Sequence, residues 1–165
     1  TDIIGQNFNQ LLAYNHSNGS LIPRKSLYNG NISAMSWQVG DGVKKGFHFD
    51  YDSQNMLTGA EYGEGSALYE SNGNYDERLS YDKMGNVLTL LRYGLRDNGQ
   101  YGLIDNLSYG YNGNQLLKVD DAVSGPYYAG AFHFVDGADE SVEYTYDANG
   151  NMVSDKNKGM IRFMI

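Results

Sequence analysis

The amino-acid sequence predicts an all-β protein, an antiparallel array of β-hairpins forming one curled and twisted sheet. Three observations carry this. Tyr and Gly are abundant, 15 and 21 of 165 residues, while Pro occurs twice; aromatic residues favour strands and Gly favours the turns between them. No window keeps a 3.6-residue apolar period between capping residues, so no more than a helical turn or two is expected. The third observation is a short unit that recurs along the chain and marks the hairpins one by one.

The fullest copy of that unit is Tyr144-Thr145-Tyr146-Asp147-Ala148-Asn149-Gly150-Asn151-Met152-Val153-Ser154. Val142, Tyr144 and Tyr146 alternate with Glu143, Thr145 and Asp147, which is the period of a strand with one apolar face. Asn149-Gly150 supplies residues that tolerate positive φ, so the chain reverses and returns through Met152 and Val153. The same unit stands at Tyr81-Asp82-Lys83-Met84-Gly85-Asn86-Val87-Leu88-Thr89. A looser copy, Tyr51-Asp52-Ser53-Gln54-Asn55-Met56-Leu57-Thr58, has Asn-Met in place of Gly-Asn. Two contracted copies have a turn two residues shorter: Tyr28-Asn29-Gly30-Asn31-Ile32 and Tyr111-Asn112-Gly113-Asn114-Gln115-Leu116. The anchoring tyrosines at 28, 51, 81, 111 and 146 are 23, 30, 30 and 35 residues apart by subtraction, a period that marks stacked supersecondary units.

A Tyr-Asp pair, a few residues, Gly-Asn and then Leu-Thr resembles the YD-repeat, or RHS-repeat, family of bacterial surface and secreted proteins. The resemblance covers roughly Leu27 to Lys158 and rests on Tyr28, Gly30 and Asn31; Tyr51 and Asp52; Tyr81, Asp82, Gly85 and Asn86; Tyr111, Gly113 and Asn114; and Tyr146, Asp147, Gly150 and Asn151. The copy at Tyr51 departs from the pattern by lacking Gly, and those at Tyr28 and Tyr111 carry Asn for Asp. What the resemblance implies is a shell-like solenoid, in which repeats coil into a hollow strip around a C-terminal effector, often a toxin, of the same polypeptide. It also implies a bacterial protein exported to the cell surface or beyond.

In chain order, residues 1–26 read as an irregular segment continuing from a longer parent. They open without Met or a signal segment, and Phe8, Leu11, Leu12 and Tyr14 are the only packing candidates. Residues 27–165 read as the hairpin array. Its first hairpin turns at Asn29-Gly30 and returns through a strand in which Met35, Trp37 and Val39 share a face. After the Gly40-Asp41-Gly42 turn, Phe47, Phe49 and Tyr51 face one way, and a second strand spans Leu57 to Tyr62. Gly63 to Asn74 is a polar excursion, expected to be exposed or mobile. Tyr75 to Tyr81 leads into the motif whose return strand, Val87 to Tyr93, is apolar enough to be covered on both faces. Asp97-Asn98-Gly99 turns the chain into Leu107, Tyr109 and Tyr111, and Leu116 to Val119 returns. Ala131-Phe132-His133-Phe134-Val135 repeats the aromatic-His-aromatic pattern of residues 47–49. Met160 to Ile165 is a last apolar strand whose unpaired edge invites self-association.

Charge and composition exclude several functions. The formal net charge of −8 repels phosphate backbones and anionic lipid surfaces, so nucleic acid is not an expected partner. No apolar run approaches the ~20 residues of a membrane span. The absence of Cys rules out disulfides, thiolate metal sites and a Cys nucleophile. No cofactor is expected, because Gly63-x-Gly65 lacks the third Gly of a dinucleotide loop and no Gly-Lys-Ser/Thr is present. Asp147-x-Asn149-x-Asn151 imitates a calcium loop, but Met152 and Lys158 stand where Gly and Glu are required. No metal site is expected.

Candidate catalytic groups do not converge on a motif. His16, His48 and His133 are far apart, and the latter two lie between aromatics in a solvent-facing or cross-strand role. Paired carboxylates for glycoside hydrolysis can be drawn from Asp120, Asp121, Asp136, Asp139 and Glu140, but acidic loops are the ordinary way an acidic β protein stays soluble. The motif aspartates stand where a turn begins, where Asp bonds nearby backbone N–H groups. The chain is therefore expected to be non-catalytic. Its partners are expected to be further repeats and the effector of the parent polypeptide, or copies of itself through sheet edges. The alternative is an extracellular carbohydrate-binding or adhesive module, with Trp37, Tyr109 and Tyr144 as candidate sugar-stacking residues.

Overall fold

The computed structural model describes residues 12–14, 21–23, 27–65, 68, 73–125, 128 and 130–161. Among them every regular element is a strand. The first six are β1 (Leu12–Tyr14), β2 (Leu21–Pro23), β3 (Ala34–Trp37), β4 (Lys45–Tyr51), β5 (Leu57–Glu64) and β6 (Glu77–Tyr81). The remainder are β7 (Val87–Leu95), β8 (Tyr101–Asn112), β9 (Gln115–Asp121), β10 (Tyr144–Tyr146), β11 (Met152–Asp155) and β12 (Met160–Ile161). Strands β3 to β9 follow one another in a seven-stranded antiparallel sheet that is not closed; β10–β11–β12 and β1–β2 form smaller sheets. The chain divides into two compact units, Thr1–Arg78 and Leu79–Ile165.

In the first unit, the segment expected to be irregular contains the β1–β2 hairpin, with Leu12 opposite Pro23 and Tyr14 opposite Leu21. Phe8 and Leu11 lie outside the described residues. The expected first hairpin reduces to its exit strand, because residues 27–33 form no strand and β3 ends at Trp37, before Val39.

Strand β4 pairs with β3 along one edge and β5 along the other, and its side chains alternate between the two faces of the sheet. On one face Phe47 stacks on Phe49 at 6.2 Å and meets the ring of Tyr62 edge-on at 5.5 Å. On the other, His48 stands between Ala34 and Glu61 in the register and is buried, so it is cross-strand and not solvent-facing. Strand β5 runs to Glu64, beyond the expected Tyr62, because Gly63 and Glu64 continue the ladder opposite Gly46 and Lys45 of β4.

The polar excursion after β5 is not wholly exposed. Leu68 is buried, in a left-handed conformation at φ 57°. It fills space that Gly46 and Gly63 leave open: a Cβ on Gly46 would stand 2.6 Å from Leu68 Cδ1, and one on Gly63 2.5 Å from Leu68 O. A leucine in this backbone region costs roughly 1–2 kcal/mol, and burying its side chain offsets that by about 1.5–3 kcal/mol.

The second unit packs Leu90, Leu107, Val119 and Tyr144 into a core, bordered by Leu79, Tyr109, Leu116, Phe134 and Tyr146. Strand β7 is covered less fully than expected. Leu90 is buried, but Leu88 and Thr89 are exposed, since the apolar run is longer than the surface that covers it. Beyond β9 the ladder gives way to one carboxylate: Glu143 N–H donates to Leu117 O at 2.7 Å, and Val119 N–H donates to Glu143 Oε2 at 3.0 Å. The aromatic-His-aromatic stretch at 132–134 is not a strand but an extended strap. Phe134 N–H donates to Asp105 Oδ1 at 2.6 Å, and the Arg92 guanidinium donates to Phe132 O at 2.8 Å. Side chains of β7 and β8 thus bind it in place of a neighbouring backbone. The last strand is described only as β12, with 162–165 outside the described residues.

Candidate functional site

The five-residue turns are the most regular chemistry in the molecule. In the copy at Tyr81, Asp82 Oδ1 accepts the N–H groups of Met84 at 2.8 Å and Asn86 at 2.9 Å. Asp82 Oδ2 accepts the Asn86 side-chain amide at 2.8 Å. Asp147 repeats this set with Asn149 N, Asn151 N and the Asn151 amide at 2.9, 2.8 and 2.9 Å. Asp52 keeps only the two backbone donors, Gln54 and Met56, because Met56 replaces the asparagine. The Asn amide, ahead of the backbone donors, holds the Asp82 and Asp147 carboxyls below the ordinary 3.8, since each bond favours the charged form. The oxygens of Asp82 and Asp147 are thus hydrogen-bonded within their own turns.

Each of these turns needs one residue in the left-handed region, three positions after the Asp. Gly85 and Gly150 take it at φ 89° and 85°, and Asn55 takes it at 65° in the copy without Gly. Asn is the side chain that best tolerates this region. The missing glycine is therefore replaced in kind.

Tyrosines join successive turns. The Tyr51 hydroxyl donates to Ile32 O at 2.9 Å, that of Tyr111 to Val87 O at 2.8 Å, and that of Tyr146 to Leu116 O at 3.1 Å. The acceptors Ile32 and Val87 directly follow the Asn of the preceding motif, and Leu116 lies one residue further on. An amide rung runs alongside, from Asn29 Nδ2 to Asn55 Oδ1 and from Asn86 Nδ2 to Asn114 Oδ1. The register slips by one residue at Tyr51, Tyr111 and Tyr146, and Thr58, Leu117 and Val153 are the extra residues on the return strands. Such bulges re-aim the side chains beside them. Tyr81 closes β6, and Tyr28 stands 91% exposed.

The three candidate sugar-stacking residues have separate fates. Tyr144 is 6% exposed in the core, where its hydroxyl accepts from the Asn157 amide at 3.2 Å, so it offers no ring face to a ligand. Tyr109 packs against the same core, and burial raises the phenol pKa of both. Trp37 is 40% exposed, with its ring 6.0 Å from that of Phe47 and tilted by 32°.

Of the acidic residues, Asp120, Asp121, Asp136 and Asp139 do come together, with His133 and Phe134, around a cavity of about 480 Å³. Glu140 lies apart, paired with Lys156. Much of this charge is structural. Asp121 accepts the N–H groups of Asn106 and Val123, Asp136 accepts that of Asp121, and Asp120 pairs with Lys118 at 2.8 Å. Behind them Asp105 is wholly buried, 3.4 Å from Arg92 Nε. Burial raises its carboxyl pKa, against the opposing pull of the Phe134 N–H and Arg92. His16 lies outside the described residues. Among the described residues, no three His, Asp or Glu side chains are arranged to hold a metal ion. Sequence reasoning missed Asp105 and Arg92, which bear no local motif and acquire their role only from the strap.

No protein-family model matches the chain, and no curated protein matches it.

Proposed function

We propose that this chain is a non-catalytic structural segment of a longer YD-repeat-like polypeptide. In this reading it is a stretch of β-wall that encloses or presents a C-terminal effector, at the bacterial surface or after secretion. The observation that carries the reading is the tyrosine rung at Tyr51, Tyr111 and Tyr146, which binds each of these three motifs to the one before it. A wall needs regular joints, and this one recurs three times among the described residues.

The test has two parts. Tyr51→Phe, Tyr111→Phe and Tyr146→Phe each remove one hydrogen bond of about 0.5–1.5 kcal/mol, and should each lower the melting temperature by roughly 1–6 °C. Unchanged melting in all three would remove the joint from the argument. In the full-length product of the parent gene, the region following the repeats should resist protease far longer than the same region expressed alone. Equal digestion rates would overturn the enclosing role.

Trp37 favours a second reading, a glycan-binding surface, because its partly exposed ring stands beside Phe47 in a stripe with Phe49. Trp37→Ala should then abolish glycan-array signal with little change in melting temperature. A wild-type chain with no signal ends this reading.

A further inference from the structure

The joints within the chain pair motifs of defined types. A full motif, Tyr81 to Asn86, is followed by a contracted one, Tyr111 to Asn114, and beside the β7–β8 ladder two side-chain bonds mark the joint. The Tyr111 hydroxyl donates to Val87 O, and the Asn86 amide donates to Asn114 Oδ1. At the far end of the second unit, Tyr146 to Asn151 is again a full motif. Its exit residue Met152 pairs with Tyr146 as Leu116 pairs with Tyr111. Strand β12 covers β11 only at Ser154 and Asp155, and Met152 is 46% exposed. Among the described residues no side chain donates to the Met152 carbonyl, whereas the equivalent carbonyls of Ile32, Val87 and Leu116 each receive a tyrosine. The contracted motif Tyr28 to Asn31 supplies the complementary half, with a tyrosine ring standing in solvent.

Resting on the repeat-wall reading, we propose that copies of this chain associate head to tail, Tyr28 of one copy donating to the Met152 carbonyl of the next. Asn151 of the second copy reaches Asn31 of the first, so the contact repeats the two side-chain bonds between Tyr81 to Asn86 and Tyr111 to Asn114 without their strand ladder. A contact between unlike surfaces does not close on two members, so it extends into longer chains or rings. Each copy carries −8 charges, and the resulting repulsion means association should strengthen as salt rises.

Sedimentation of the whole chain across micromolar to millimolar concentration, at low and high salt, tests this. The expected result is a concentration-dependent series extending beyond the dimer and favoured by salt. Tyr28→Phe and Asn31→Ala should each weaken association about three- to tenfold, the worth of one hydrogen bond. Tyr28 is exposed, so Tyr28→Phe should melt like the parent chain. A strict monomer, a species that stops at the dimer, or association unaffected by both variants would overturn the proposal. The two readings fail separately. If Tyr51→Phe and Tyr111→Phe lower the melting temperature but the chain stays monomeric, only the head-to-tail contact is lost. If they leave it unchanged, the repeat-wall reading falls.

Discussion

Aspartates of one type do opposite work in this molecule. Asp82 and Asp147 are held charged by the turn, so their folded pKa lies below the unfolded value near 3.8. Their stabilisation is present above that value and is lost as pH falls through the lowered one. Asp105 is the reverse: burial raises its carboxyl, so folding favours its proton. Its contribution is present below 3.8 and is lost as pH rises through the raised value. Urea midpoints measured from pH 7 down to pH 3 separate the two. The double variant Asp82→Asn, Asp147→Asn should fall less steeply than the parent over the acid end. Asp105→Asn should fall more steeply, because it lacks the offset that protonation supplies. Parallel curves for all three proteins would refute the assignment of either charge state.

At the scale of elements, Leu68 and its two glycines make the sharpest stability test. Leu68→Ala should cost about 2–5 kcal/mol, the range for a deleted core leucine. Gly63→Ala should cost about 1–3 kcal/mol, because its Cβ would meet the Leu68 backbone and not a yielding side-chain tip. Both are read from urea unfolding; a shift near zero in either would mean that the Leu68 segment does not seat as described. This element also shows where sequence reading stops. Turns such as Asp82 to Asn86 were legible because their chemistry is local: one carboxylate, three donors and one left-handed residue within five positions. The strands beside them followed from alternation. The β1–β2 hairpin is not legible, because strands of three residues are too short to show a period. Leu68 was invisible because one apolar residue in a Gly- and Ser-rich stretch carries no period. The strap escaped because its partners, Arg92 and Asp105, lie 40 and 29 residues from the residues they bind. The rungs span 19, 24 and 30 residues, and the sequence marks the tyrosine but not its acceptor.

For the molecule as a whole, the dominant physical property is charge. At −8, the chain should bind an anion exchanger firmly at low salt and pass through immobilised heparin without delay. Retention on heparin would reveal a basic face that the net charge conceals and would reopen the question of polyanion partners. The rungs carry a different consequence, for how such a chain changes over generations. Each tyrosine addresses a main-chain oxygen, and the residues that own those oxygens are Ile32, Val87 and Leu116. Since every amino acid brings the same carbonyl, mutation at the receiving position leaves the attachment intact, and the intervening sequence is at liberty to drift, lengthen or shorten. Ancestry in such a lineage would survive as scattered tyrosines and turn residues while everything between them is rewritten.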